Sequence, residues 1–163
     1  MQAFMLFFHV ILAIVIFGAL TAVGRLFAAL TDRPKEEALA AMRLASRVER
    51  ILGPVSLIVP IIGLGLVFSS NELYKLSQAW VWLSLALYAA AAAIGPGVAL
   101  KTEDRLIGKL EASPAGATAR QVAPDEVKKL QLAELALWVL LVALLALMVW
   151  RPGASFNISD LGG

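Results

Sequence analysis

The sequence predicts an all-α, integral membrane four-helix bundle. Three observations carry that reading: four apolar runs of membrane-crossing length, a hydrophobic fraction of 60%, and charge concentrated between the runs. The runs cover about residues 3–30, 51–70, 79–100 and 130–150. At about 1.5 Å of rise per residue, roughly 20 helical residues cross a ~30 Å hydrocarbon layer, so each run is long enough. Soluble domains carry only about 45–50% apolar residues, and a mean hydropathy of +0.82 makes lipid the main solvent here. With four spans in 163 residues there is no room for a separate soluble domain, and 1–163 is read as a single transmembrane domain.

The first run opens Met1-Gln2-Ala3-Phe4, without a positive n-region. It is far longer than the ~7–15-residue core of a signal peptide and is read as a retained helix. Gly18 and Ala22 make a small-xxx-small pair suited to close helix packing. The segment from Pro34 to Arg50 follows Asp32 and begins with a helix-start proline, then Glu36 and Glu37 at the positive end of a helix dipole. It is read as a cytoplasmic amphipathic helix between helices one and two. Leu39, Met42 and Ala45 form its apolar face and Arg43, Arg47 and Arg50 its basic one. The alternative is that it extends helix two into solvent.

The second run holds Pro54 and Pro60, each lacking a backbone donor, with Gly53, Gly63 and Gly65, and predicts a kink. Trp80 and Trp82 open the third run, which ends Ile94-Gly95-Pro96-Gly97, a sequence that predicts a break or bend. Glu111 to Pro124 is rich in Ala, Gly, Ser, Thr and Pro and reads as a flexible linker. Asp125 and Glu126 then start helix four. The tail after Arg151 has no helical pattern, and its Asn157-Ile158-Ser159 matches a glycosylation sequon.

Charge sets the expected orientation. Arg25, Arg33, Lys35, Arg43, Arg47 and Arg50 surround the first loop, and Lys101, Arg105, Lys109, Arg120, Lys128 and Lys129 the third; only Lys75 and Arg151 lie opposite. Under the positive-inside rule this places both termini outside the cytoplasm, in an inner (plasma) membrane. Trp80, Trp82 and Trp150 fall at the same outer interface, where indole finds both apolar and polar partners. A net charge of +2 and a pI near 9.2 do not point to nucleic acid, because the basic residues flank apolar helices. The expected partners are the lipid bilayer and other membrane protein subunits. The chain has no cysteine, which excludes disulfides, thiolate metal sites, iron–sulfur clusters and covalent c-type haem.

Ionisable groups at membrane depth are the default functional candidates, and they are His9, Arg25 and Glu134. His9, the single histidine, suits either a haem ligand or, as the preferred reading, a hydrogen bond to a neighbouring helix. Arg25 lies sixteen positions further on, ~24 Å along a straight helix, so the two do not share a small site. Arg25 and Glu134 have similar depth and are expected to pair across the bundle, each lessening the other's desolvation. Thr21, Ser56, Ser84 and Tyr88 are too sparse for a nucleophilic triad, and no metal-ligand spacing is present, so neither catalytic nor metal-binding residues are assigned.

The run His9-Val10-Ile11-Leu12-Ala13-Ile14 to Gly18-Ala19-Leu20 and Arg25-Leu26-Phe27 resembles the first helix of a group of small bacterial membrane proteins. The group includes HemJ-type protoporphyrinogen oxidases, the CopD copper-resistance domain and the integral membrane family known as domain of unknown function 2269. Along the whole chain the last is the most similar: a glycine- and proline-bearing second helix, Trp80-Val81-Trp82-Leu83 leading the third, and Leu147-Met148-Val149-Trp150-Arg151-Pro152-Gly153 closing the fourth. Resemblance to the HemJ type implies b-type haem on His9. Ser84 and Ala86 stand where that type carries a polar pair, which sets the chain apart from the enzyme.

The preferred function is thus a non-enzymatic accessory or structural subunit of a larger membrane complex. The alternatives are a haem-binding redox protein of the HemJ or CopD type using His9, and a small oligomeric transporter using Arg25 and Glu134. Alkaline phosphatase fused after helix four is expected to be active, and a fluorescent protein fused at the same point dark; the reverse pattern overturns the orientation read from the charges.

Overall fold

The computed structural model describes residues 2–69 and 75–150. The tail, with its sequon Asn157-Ile158-Ser159, lies outside the described residues. The helices are α1 (Gln2–Leu30), α2 (Lys35–Val55), α3 (Ile58–Ser69), α4 (Ala79–Ile94), α5 (Leu100–Glu111), α6 (Ala119–Val122) and α7 (Pro124–Trp150), with a π-helical turn at Gly95–Ala99. Among the described residues no strand forms, only an isolated bridge between Pro34 and Thr118. The helices compose four rods, Ala3–Leu30, Lys35–Ser69, Ala79–Glu111 and Pro124–Trp150, each long and apolar enough to cross a membrane.

The amphipathic segment is present as α2. It continues without a break into the start of the second apolar run, as far as Val55, with Pro54 inside its last turn. The second rod is interrupted at Ser56–Leu57, one turn before Pro60. Pro60 has no N–H for the Ser56 carbonyl, which accepts instead from the Val59 N–H at 3.1 Å. The Ser56 hydroxyl turns back to the Gly53 carbonyl at 2.6 Å.

In the third rod the disturbance at Gly95-Pro96-Gly97 does not end the helix. A π turn absorbs the proline, with the Leu100 N–H donating to the Gly95 carbonyl five residues back, and helix continues to Glu111, past the expected end near residue 100.

The core sits at one end, where α2 and α5 project beyond the apolar runs, and we call this the polar end. Phe27, Met42, Leu106, Leu110, Val127 and Leu130 are almost wholly buried there. On α2 the buried positions Ala38, Met42 and Ala45, and on α5 Glu103, Leu106, Ile107 and Leu110, recur at helical spacing. At the opposite end α3 packs chiefly on α1, and α4 on α7. Trp80, Trp82 and Trp150 lie at that end; the Trp82 indole donates to the Leu76 carbonyl at 2.7 Å.

The 112–123 segment is not a loose linker, because local capping and side chains from the α1–α2 turn fasten it. The Lys35 ammonium donates to the Glu111 and Ser113 carbonyls at 2.6 and 2.7 Å. The Gly116 N–H donates to Glu36 at 3.1 Å, and Gly116 takes the left-handed φ of 77° that favours glycine. Thr118 and Gln121 form a capping box. Arg120 makes a two-bond ion pair with Asp32 and holds that carboxyl below the usual carboxylate range.

The small residues Gly18 and Ala22 of α1 are not covered by another helix of this chain. A Cβ on Gly18 would meet nothing within 4 Å, and Ala22 is exposed, so no helix backbone closes on that stripe. The close approach is at Gly63, where a Cβ would meet His9 Cε1 at 3.0 Å.

Leu106→Ala is expected to destabilise the protein by about 2–5 kcal/mol, because its side chain is wholly buried in the polar-end core. Ile61→Ala, at a position 65% exposed, should leave stability within about 0.5 kcal/mol. Equilibrium unfolding in mild detergent measures both.

Candidate functional site: a carboxyl-lined cavity within the bundle

Directly inside the polar-end core the four rods line a partly open cavity of about 330 Å³. Most of its wall is apolar or aromatic, including Phe17, Leu20, Tyr88, Trp138 and Leu141. Its charged lining residues are Arg25, Glu49, Glu103 and Glu134.

Helical periodicity brings the acids there. Glu49 lies eleven residues after Ala38 and four after Ala45, on the face of α2 that carries Ala38, Met42 and Ala45 into the core. Glu103 precedes Leu106, Ile107 and Leu110 on the buried face of α5, and Glu134 follows Leu130 by four on α7. On α2, α5 and α7 alike the acid lies about one turn to the membrane side of buried apolar residues. Glu103 is only 1% exposed.

The Glu49 and Glu103 carboxyls are close enough to feel each other's charge, with Ser46 nearby. Glu134 lies close enough to feel the charge of Glu103 and of Arg25. Glu103 Oε2 and Glu134 Oε1 are buried without a hydrogen-bond partner. A buried polar atom left unpaired is costly, and both belong to residues that line the cavity. Among the described residues no group of three carboxyl or imidazole side chains is arranged to hold a metal ion.

Arg25 and Glu134 therefore line one cavity, but no ion pair within 4.0 Å joins them: the ion pairs among the described residues are Arg43–Glu111, Arg50–Asp104, Lys109–Glu126 and Arg120–Asp32. Glu134 instead lies against the α1 backbone at Gly24, where a Cβ would stand 3.4 Å from its Oε1. The sequence reading did not single out Glu49 or Glu103. Their spacing from the buried apolar residues was the available signal.

His9 lies apart, 6% exposed and packed against Gly63 of α3. Its ring reaches the Val59 backbone carbonyl, and Nδ1 is buried without a partner. A second cavity of about 290 Å³ lies among Ile14, Gly18, Val59, Gly63, Trp80 and Met148, and His9 lines neither space. The surroundings of His9 do not fit a porphyrin, which would have to separate α3 from α1 to reach the imidazole. Of the remaining kink residues, Pro54 and Pro96 line the first cavity and Pro60 the second.

A family model described as a predicted integral membrane protein (DUF2269) matches residues 3–152. No curated protein and no solved structure matches the chain.

Gly63→Val is expected to destabilise the α1–α3 contact by about 1–3 kcal/mol, as overpacking does, because even one carbon there meets the His9 ring at 3.0 Å. Gly18→Ala faces open space and should be neutral or stabilising by up to about 1 kcal/mol. Thermal unfolding of both variants in detergent checks the contrast.

Proposed function

The chain belongs to the DUF2269 family of predicted integral membrane proteins, and on that premise we propose that it is a non-enzymatic ligand-binding membrane protein taking a lipophilic organic cation. The cavity carries this reading: apolar and aromatic walls around three carboxyls and one guanidinium. Small-molecule sites are apolar concavities with a few convergent polar groups. Here the acids outnumber the base, and Phe17, Tyr88 and Trp138 offer aromatic faces that attract a cation. The apolar and aromatic share of the wall suits an organic cation better than a hydrated metal ion.

Arg25 acts in this reading as a charge balance across the cavity from Glu134, without a direct ion pair. The reading draws on the transporter expectation, which named the same two residues. Service as an accessory subunit would place partner helices on exposed apolar residues such as Ile14, Val139 and Val149, yet lipid covers such faces equally well. The orientation that follows puts the carboxyl end of the bundle on the cytoplasmic side of an inner membrane, with both termini outside.

Purified protein in lipid nanodiscs is expected to bind tetraphenylphosphonium saturably, at one per chain. Glu103→Gln should weaken that binding at least about tenfold, equivalent to ~1.4 kcal/mol, and Glu134→Gln should weaken it as well, while both variants unfold near the wild-type temperature. Absence of saturable binding, or binding indifferent to both substitutions, overturns the proposal.

A further inference from the structure

The two cavities adjoin. They share Phe17, Tyr88, Leu141 and Leu144 as walls. On α7, Glu134 lines the first alone, Leu141 and Leu144 line both, and Met148 lines the second alone. The order repeats on α1 through Arg25, Phe17 and Ile14, and on α4 from Ala92 through Tyr88 to Val81. The cavities are therefore stacked along the bundle axis around one waist. Glu134 and Met148 are fourteen helical residues apart, ~21 Å, which exceeds the ~15 Å depth of one leaflet's hydrocarbon.

The second cavity has no Asp, Glu, Lys, Arg or His in its lining. The Ser84 hydroxyl on its wall is already donated to the Trp80 carbonyl at 2.8 Å. At the waist the Tyr88 hydroxyl is held by Ser56 Oγ at 2.8 Å, where the second rod breaks. One end of the stacked space thus carries the acids, including the 1% exposed Glu103 with its unpartnered Oε2, and the other end offers chiefly apolar walls.

We infer that the two cavities form one elongated site for a single-chain amphiphile. Its positively charged head sits among Glu49, Glu103 and Glu134, and its hydrocarbon chain passes the Tyr88 waist into the second cavity. This rests on the ligand-binding reading above and adds the class of ligand. A separate polar ligand finds no charged anchor in the second cavity, whereas an alkyl chain needs none. A chain arriving from the bilayer leaves one apolar surrounding for another, so the head contacts decide affinity and the stacked shape decides chain placement.

Tryptophan positions make the inference testable, because Trp138 lines the first cavity and Trp80 the second. Two proteins, each retaining one of these and carrying Phe in place of the other tryptophans, would be titrated in nanodiscs with hexadecyltrimethylammonium brominated either beside the head or at the chain end. The expected result is saturable quenching that falls mainly on Trp138 with the head-proximal bromine and shifts to Trp80 with the chain-end bromine. Unbrominated amphiphile should displace both signals, and Glu103→Gln should abolish both. If the chain-end bromine quenches Trp138 saturably and never Trp80, the elongated site is wrong while the carboxyl site stands. Quenching of Trp80 that survives Glu103→Gln would mean two separate sites and also overturns the inference. Loss of saturable quenching at both tryptophans, in proteins that remain folded, would remove the carboxyl site itself.

Discussion

The hydrophobic effect acts on this chain only where its helices leave the lipid, and the rest of the architecture depends on that constraint. Within the bilayer an exposed leucine is already in an apolar medium, so burying it against another helix yields little. Residues such as Ile14, Ile61 and Val139 accordingly remain more than half exposed on the surface of the bundle. At the polar end the same residue types meet water, and there Phe27, Met42, Leu106, Leu110 and Leu130 are buried almost completely. One end of the bundle is clamped and the other is looser, which leaves room for two cavities along the axis.

Ion pairs around the clamp set its register. Arg43 pairs with Glu111 and Arg50 with Asp104, one after the other along antiparallel α2 and α5, and the same register sets Glu49 beside Glu103. Lys109 and Glu126 tie α5 to α7, and Arg120 and Asp32 tie the α1–α2 turn to α6. Exposed ion pairs are individually weak, about 0–1 kcal/mol. Their effect here is geometric, since each joins different segments and together they hold the carboxyl-bearing helices in one relative position.

The backbone irregularities converge on the same space. Gly53, Pro54, Ser56 and Leu57 at the break in the second rod, and Gly95, Pro96 and Ala99 at the π turn, all line the first cavity. Non-helical backbone at membrane depth is tolerated where it borders a cavity or is buried in protein, and π turns recur at functional sites. The histidine that a haem-protein resemblance singled out lies outside this arrangement, committed to α3 through Gly63 and Val59.

The four apolar rods, the amphipathic segment after Pro34 and the disturbances at Pro54, Pro60 and Pro96 were legible in the sequence. Length, hydropathy and the missing proline N–H are local properties, and they determine those features without reference to neighbours. The fastening of residues 112–123 was not legible, because Lys35, Glu36 and Asp32 act on it from about eighty residues away. Nor was the carboxyl cluster. Glu49 and Glu103 each resemble ordinary surface charges beside a helix end, and only the antiparallel register of α2 and α5 turns two separate stripes toward one cavity. Local sequence determined which helices form and which of their faces are apolar; the packing of those faces alone decided that three acids from three rods share a buried space, because burial is a property of what surrounds a residue.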